Sequence, residues 1–255
     1  MTTQELKSKI RSYDERRNLS NPLGGDEMIQ FCLEHFVSTA ETAIHERGSF
    51  HVALAGGNTP KAIYQGLLEK NYKSRINWNK VYLYWSDERP VPPYDPESNY
   101  RMAMEAAFSK LQIPLQQIHR MQAEGNIEEG ALAYEKLLQA NLPEKSFDLM
   151  MLGMGEDGHV ASLFPETHAL HTKDRLAIEN YIPQKEKWRM TVTFDCINRS
   201  RTIAVYLMGK SKADTLKRVL TGPYRPDHLP AQRVGSPSRK ALWIADKEAL
   251  SSIQL

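Results

Sequence analysis

The sequence is poor in the features that mark secreted, membrane-bound and metal-binding proteins. Its 255 residues contain only two cysteines, Cys32 and Cys196, and neither belongs to a pair spaced for zinc. Both are predicted to be small buried hydrophobic residues rather than disulfide partners or metal ligands. No apolar run reaches membrane-spanning length, and residues 1–7 lack the apolar stretch of a signal peptide. A cytoplasmic location is therefore expected.

An excess of charge of one sign is missing as well. The 33 lysines and arginines nearly balance the 31 aspartates and glutamates, which leaves a formal charge of +2. A nucleic-acid or membrane partner would need a dense basic stripe, so neither is expected. No internal repeat or low-complexity tract divides the chain, and residues 1–255 are predicted to form a single α/β domain. The role of the extension at residues 1–25 is left open, as is the choice between a monomer and a small homo-oligomer.

What the sequence does contain is an alternation of helical and strand-like segments. Within the segment from Asp26 to Ile44, apolar residues recur at helical spacing, and Gly48 follows as a stop signal. Further helices are predicted over residues 61–68, 98–108, 131–142 and 211–220, and strands over residues 49–55, 81–85, 147–152, 190–194, 202–207 and 241–245. This alternation predicts a mainly parallel sheet with helices on both faces. Residues 223–237, rich in proline and arginine, are predicted to form a surface loop.

Three polar clusters follow predicted strands, which is where open parallel sheets bind their ligands. The first cluster is Gly56-Gly57-Asn58-Thr59-Pro60, between a strand and a helix. The backbone N–H groups of such a turn and the dipole of the following helix suit a phosphate, although an ordinary tight turn is the alternative. The segment has neither the Walker nor the GxGxxG spacing, so no nucleotide is implied.

The second cluster is Asp87-Glu88-Arg89, directly after the strand predicted at residues 81–85. Arg89 could clamp a phosphate or a carboxylate with its planar guanidinium, and Asp87 could orient a hydroxyl group. Ordinary solvated surface is the alternative interpretation of such a charged triplet.

The third cluster places Asp157 and His159 among three glycines, Gly153, Gly155 and Gly158. A glycine-rich backbone can bend closely around a ligand, and it follows a predicted apolar strand here. Because imidazole titrates near neutrality, His159 suits proton abstraction from water, whereas most single histidines are structural or merely exposed.

These clusters match the motifs of a known group of enzymes. The matching residues are Gly56-Gly57-x-Thr59-Pro60, then Trp85-x-Asp87-Glu88-Arg89 with Ser98-Asn99 downstream, and then Gly153-x-Gly155-x-Asp157-Gly158-His159-x-Ala161-Ser162-Leu163-Phe164-Pro165. From about Asp26 to its C-terminus the chain resembles the 6-phosphogluconolactonases, part of a larger group that includes glucosamine-6-phosphate deaminase. The resemblance implies a Rossmann-like, three-layer α/β/α sandwich with a mainly parallel central sheet.

The same resemblance implies hydrolysis of 6-phospho-D-glucono-1,5-lactone to 6-phospho-D-gluconate in the oxidative pentose phosphate pathway. The partner would be this phosphorylated sugar lactone, and neither a cofactor nor a metal is expected. The implied catalytic residues are the general base His159 with Asp157, Asp87 and Arg89. The implied substrate- and phosphate-binding residues are Gly56, Gly57, Asn58, Thr59, Gly155, Arg189 and Lys210.

Two other functions are kept open. The first is an amino-sugar-phosphate deaminase or isomerase, but the related deaminases usually have tyrosine in place of Arg89 and a catalytic glutamate in place of Phe164. The second is a non-catalytic sugar-phosphate sensor, since related folds serve as effector domains of transcription regulators. Against a sensor, no DNA-binding module precedes Asp26, and both Asp157 and His159 are present.

Overall fold

The computed structural model describes residues 3–20 and 23–253, and helices and strands alternate along most of this length. The helices are α1 (Thr3–Ser8), α2 (Gly25–Arg47), α3 (Asn58–Gly66), α4 (Lys70–Lys73), α5 (Asn99–Ala106), α6 (Ile127–Asn141), α7 (Phe194–Arg199) and α8 (Ala213–Thr221). The strands are β1 (Ile10–Ser12), β2 (Arg17–Ser20), β3 (Phe50–Leu54), β4 (Val81–Trp85), β5 (Asp87–Glu88), β6 (Leu149–Leu152), β7 (Ala177–Ile182), β8 (Lys187–Val192), β9 (Thr202–Leu207) and β10 (Ala241–Ala245).

The larger sheet has the strand order β1-β2-β10-β9-β6-β3-β4, and every neighbouring pair except β1 with β2 is parallel. Its inner strands β3 and β6 are buried along their whole length because helices flank the sheet. Val52 of β3 lies opposite Leu149 of β6, and both side chains are fully buried. The predicted α/β sandwich with a mainly parallel sheet is confirmed.

Helix α2 ends where the sequence predicts it to end. Gly48 takes a left-handed conformation at φ +79° and donates its N–H to the carbonyl of Ile44 at 3.0 Å. The predicted burial of both cysteines is also confirmed, since Cys32 in α2 and Cys196 in α7 are fully buried. This burial raises the pKa of each thiol. Within the described residues, no helix is both long enough and apolar enough to cross a membrane.

The strand predicted at residues 190–194 is displaced and joins a different sheet. Strand β8 covers Lys187–Val192 and pairs antiparallel with β5 and β7 in a smaller sheet. The Oγ1 of Thr193 accepts the N–H of Cys196 at 3.2 Å and caps α7, so Phe194 begins a helix instead of ending a strand. The apolar pattern of the segment did not indicate which sheet it would join.

The prediction of a surface loop at residues 223–237 is wrong for the second half of that segment. Leu229, Ala231 and Gln232 are buried, and the Ala231 N–H donates to the carbonyl of Gly158 at 2.9 Å. The side-chain amide of Gln232 also accepts the Arg225 N–H and donates to the Pro223 carbonyl, both in the first half of the segment. The second half therefore packs against the third polar cluster instead of lying free in solvent.

Two strands within residues 1–25, β1 and β2, belong to the larger sheet. Strand β2 runs parallel to β10, with Leu19 opposite Trp243, and β1 then pairs with β2 in the antiparallel sense. Leu19 and Trp243 are both fully buried. The extension whose role the sequence left open thus adds two strands to one edge of the sheet and contributes Leu19 to its core.

Candidate active site

A cleft of about 480 Å³ opens at the carboxyl ends of four neighbouring strands, β9, β6, β3 and β4. All three polar clusters contribute to it, as expected for an open parallel sheet. The sequence-predicted residues that line it are Gly56, Gly57, Asn58, Thr59, Asp87, Arg89, Gly155 and His159. The other three predicted residues, Asp157, Arg189 and Lys210, do not line it.

The glycine loop, residues 55–60, joins β3 to α3 on one side of the cleft. Gly57 is the N-cap of α3 at φ +101°, a conformation that favours glycine. Gly56 allows a close approach of Asn99, because a Cβ at this position would lie 2.1 Å from the Asn99 Oδ1. The first N–H groups of α3, at Asn58 and Thr59, have no acceptor within the helix and are available to an anion.

The carboxylate of Asp87 connects the second and third clusters. Its Oδ2 accepts the hydroxyl of Ser162 at 2.7 Å, and its Oδ1 accepts the amide of Asn99 at 3.1 Å. Ser162 and Asn99 are buried, and Asp87 is 9% exposed where it reaches the cleft. Asp87 is therefore held in one orientation at the cleft wall by residues distant in the sequence.

Glu88, to which the sequence assigned no role, organises the turn into α5. Its carboxylate accepts the N–H groups of Arg89, Asn99 and Tyr100 at 2.8 Å each and the hydroxyl of Ser98 at 3.0 Å. Burial raises the pKa of Glu88, while these hydrogen bonds act in the opposite direction. Such a saturated, buried carboxylate at a helix N-terminus stabilises the fold around the cleft instead of reacting with a ligand.

The histidine loop, residues 153–165, follows β6 and carries His159 into the cleft. The Nδ1 of His159 lies 2.5 Å from the Oδ1 of Asp157, which also accepts the His159 N–H at 3.2 Å. Among the described residues, none forms a hydrogen bond with the Nε2 of His159. Asp157 therefore fixes the ring by one nitrogen and leaves the other free for a ligand or water.

The charge of Asp157 is stabilised by the same contact. Partial burial acts to raise the pKa of Asp157, but the hydrogen bond and the charge of His159 outweigh it and hold that pKa below its ordinary value. An ionised Asp157 would in turn stabilise the imidazolium that forms when His159 accepts a proton.

Arg89 and Arg189 lie close to each other at the rim. Arg89 lines the cleft and donates to the carbonyl of Glu97. Arg189 lies within β8, not before a strand as expected, and it donates to the carbonyl of Trp188 at 3.1 Å. Burial and the nearby charge of Arg89 lower the pKa of Arg189. Of these two arginines, only Arg89 reaches the lining.

The lysine that lines the cleft is Lys212, which sequence reasoning missed. Gly209, at φ +92°, begins a single 3₁₀ turn over Lys210–Lys212, and its N–H binds Asp246. In a helix of three residues per turn, positions two apart point in different directions. Lys210 is exposed away from the cleft, whereas Lys212 and Ser211 line it. The repeated lysine after a glycine was the available signal, but it did not indicate which side chain faces inward.

The cleft thus combines one base with several hydrogen-bond donors and a cation. Within the described ranges, no three histidine, cysteine, aspartate or glutamate side chains are grouped to hold a metal ion. The arrangement of His159, the start of α3 and Lys212 suits acid–base chemistry on a ligand that carries a negative charge.

Comparison with known proteins identifies the family. The family model described as glucosamine-6-phosphate isomerases/6-phosphogluconolactonase matches residues 24–243. The chain belongs to this family. That assignment confirms the resemblance found in the sequence motifs, and the matched region contains every residue of the three clusters.

Relatives within the glucosamine-6-phosphate isomerase/6-phosphogluconolactonase family are similar over most of the chain. A 6-phosphogluconolactonase of Chlamydia trachomatis is 39% identical over 230 residues, which cover 90% of this chain and 88% of the relative. A 6-phosphogluconolactonase of Haemophilus influenzae is 37% identical over 201 residues, which cover 78% and 86% of the two chains. The crystal structure of a 6-phosphogluconolactonase from Thermotoga maritima has a TM-score of 0.78 at 31% identity, covering 90% of this chain and 99% of that one.

Proposed function

We propose that this protein hydrolyses the lactone ester of 6-phospho-D-glucono-1,5-lactone to give 6-phospho-D-gluconate. The observation that carries the proposal is the position of His159, bound to Asp157 at 2.5 Å and lining the same cleft as the glycine loop. The names of the relatives support the same substrate. The reaction would belong to the oxidative pentose phosphate pathway. A cytoplasmic location and independence of metals and cofactors stay predictions from the sequence.

His159 would act as the general base. Its Nε2 takes a proton from water as the water oxygen forms a bond to C1, and the carbonyl electron pair moves onto the carbonyl oxygen. When this intermediate collapses, the bond between C1 and the ring oxygen breaks, and the imidazolium returns its proton to that oxygen. Such proton transfer contributes about 10²–10⁴-fold in rate. A lactone carbonyl is already electrophilic, so no covalent nucleophile is required.

The developing oxyanion needs hydrogen-bond donors, and the cleft offers two sources. Arg89 and the glycine loop both line the cleft. The guanidinium of Arg89 and the backbone N–H groups of the loop are the candidate donors. Donors that are fixed before the reaction stabilise the transition state without reorganisation. Asp87, held by Ser162 and Asn99, would orient a sugar hydroxyl at the same wall.

The phosphate would bind at the start of α3. Gly57, Asn58 and Thr59 supply backbone and side-chain donors, and the helix dipole favours an anion there. Lys212 is the cation on the cleft lining, so we assign to it the role that the sequence gave to Lys210. Arg189 would act at longer range, through its charge beside Arg89.

The test is hydrolysis of freshly generated 6-phosphogluconolactone, followed by coupled oxidation of the product and corrected for spontaneous ring opening. The wild type is expected to accelerate hydrolysis, and His159→Ala is expected to lose most of this acceleration. His171→Ala is the matched control, because His171 is 67% exposed and does not line the cleft. A folded wild type without any acceleration would refute the proposal. Ammonia release from glucosamine-6-phosphate would then indicate a deaminase, and ligand binding without turnover would indicate a sensor.

A further inference from the structure

The imidazole of His159 lies flat against a buried aromatic ring. The ring centroids of His159 and Phe164 are 3.9 Å apart, and their planes differ by 17°. Phe164 is only 4% exposed, and it belongs to the same histidine loop, five residues further along the chain. The stack therefore covers one face of the ring whose Nε2 we assign to proton transfer.

A tight reversal of the backbone brings the two rings together. Val160 and Leu163 form an isolated antiparallel bridge, and the Leu163 N–H donates to the Val160 carbonyl at 2.9 Å. Within this turn Ala161 takes a left-handed conformation at φ +49°, which is uncommon for a residue with a side chain. The chain thus accepts a sparsely populated backbone conformation at the point that folds Phe164 back onto His159.

The hydrogen bond from Asp157 leaves part of the orientation of His159 undetermined. It fixes one edge of the imidazole at Nδ1, but a single contact of this kind permits the ring to tilt about that edge. Gly155 permits the ring to lie this close to the backbone, since a Cβ there would lie 2.1 Å from Nδ1. A flat contact over the whole ring face restricts the tilt that the single hydrogen bond permits.

Phe164 is itself anchored to the smaller sheet. Its carbonyl accepts the hydroxyl of Thr167 at 2.7 Å, and that hydroxyl oxygen accepts the side-chain amide of Asn180 in β7 at 3.0 Å. The imidazole covers one face of the Phe164 ring, and the ammonium of Lys185 lies 4.9 Å from the ring centroid. A buried ring that is anchored through its backbone and contacted by a cation can serve as a fixed surface for His159.

We propose that Phe164 is a positioning residue that holds the plane of the His159 imidazole so that Nε2 faces the substrate. Its catalytic consequence rests on the proposed lactone hydrolysis. Phe164 touches the base and not the reacting atoms, so its loss affects the rate of proton transfer more than substrate binding. A misplacement of about 1 Å can reduce a rate by about 100-fold, so a loss of the stack is expected to be visible in kcat.

The experiment compares Phe164→Leu with Phe194→Leu. Phe194 is a matched control, because it is 2% exposed and lies beneath the guanidinium of Arg233 at 4.5 Å, away from the cleft lining. Both variants lose an aromatic ring from the interior and should lose similar stability in urea unfolding. Phe164→Leu is expected to lower kcat by about tenfold or more with KM little changed, whereas Phe194→Leu keeps kcat. Phe164→Tyr keeps the ring face and should restore most of kcat.

A second measurement follows the stack without any turnover. A proton above an aromatic ring is shifted upfield in NMR spectra, so the Cε1 proton of His159 should lose this shift in Phe164→Leu and keep it in Phe194→Leu. An unshifted wild-type resonance, or an unchanged kcat in Phe164→Leu while the wild type hydrolyses the lactone, overturns the positioning role alone. A wild type that does not hydrolyse the lactone refutes the proposed function, and the catalytic part of this inference is then overturned with it.

Discussion

The glycine loop and the histidine loop line the same cleft, but they present different chemical groups to it. The glycine loop offers main-chain N–H groups at the start of α3, and its conformation depends on Gly57 at φ +101°. The histidine loop offers one titratable side chain, His159, which is hydrogen-bonded to Asp157 and stacked on Phe164. We therefore assign binding of the anionic group to the first loop and proton transfer to the second. Substitutions on the two sides should separate KM from kcat.

The two loops also differ in how they respond to pH. Backbone N–H groups do not titrate, so binding by the glycine loop should vary with pH through the charge of the ligand. The histidine loop contains an acid and a base in direct contact, Asp157 and His159. The glycine loop, which offers backbone donors, and the histidine loop, which offers a titratable side chain, therefore need different tests.

The largest effect is expected for His159→Ala. Removing the base should lower kcat by about 10²–10⁴-fold, because proton abstraction from water is lost. KM and the affinity for 6-phosphogluconate should change little, since we assign phosphate binding to the glycine loop. Steady-state kinetics and calorimetric titration with the product measure the two quantities. A raised KM with normal kcat would assign His159 to binding and would contradict the division between the loops.

A smaller effect is expected for Lys212→Ala. The variant should raise KM by about tenfold, because a charge-assisted hydrogen bond contributes about 1.5–3 kcal/mol and this lysine is partly exposed. Lys210→Ala provides the comparison within the same turn and should leave KM unchanged. Kinetics at a fixed ionic strength distinguish the two lysines. The opposite result, with an effect at Lys210 alone, would restore the assignment made from the sequence.

Ser162→Ala tests the contact that joins the two polar walls. Its hydroxyl donates to the Asp87 carboxylate at 2.7 Å in a buried setting, so its loss should lower the free energy of unfolding by about 1–3 kcal/mol. Urea unfolding followed by circular dichroism measures this change. Ser238→Ala is the control, because the Ser238 hydroxyl contacts Ser236 at the exposed surface. Equal unfolding midpoints for the two variants would show that the buried contact contributes nothing.

The smallest effect on stability is expected for Asp157→Asn. Because the pKa of Asp157 is held below its ordinary value, its carboxylate stabilises the fold above a pH of about 4, and this stability is lost as the pH falls through the lowered pKa. The variant should therefore be less stable at neutral pH, by under about 1 kcal/mol since the pair is partly exposed. Urea unfolding at a series of pH values should show the difference narrowing below pH 4. A difference in the free energy of unfolding that grows as the pH falls would contradict the lowered pKa of Asp157.

Much of the larger sheet could be predicted from the sequence. The strands predicted at residues 81–85, 202–207 and 241–245 match β4, β9 and β10 at both ends. Strands buried on both faces read as short apolar runs between polar turns, and this signal lies within the segment itself. The turn at Gly56-Gly57 and the end of α2 at Gly48 could be predicted for the same reason.

The smaller sheet could not be predicted in this way. Strand β5 is only Asp87–Glu88, which has no apolar pattern, and its partner β8 lies about a hundred residues further along the chain. Pairing of this kind depends on where the larger sheet places both segments. The burial of the second half of residues 223–237 could not be predicted for the same reason. Ala231 meets its hydrogen-bond partner Gly158 only when the histidine loop is folded.

The sequence by itself determined the α/β alternation, the glycine at the start of α3 and the presence of Asp157 and His159 after an apolar strand. These features follow from backbone preferences and apolar spacing, which act over a few residues. Only the tertiary structure decided that Lys212 faces the cleft and not Lys210, and that Ser162 binds Asp87 across 75 positions. Such contacts depend on how separate elements pack, because side-chain direction and distance are set by the whole sheet and not by neighbours in the chain.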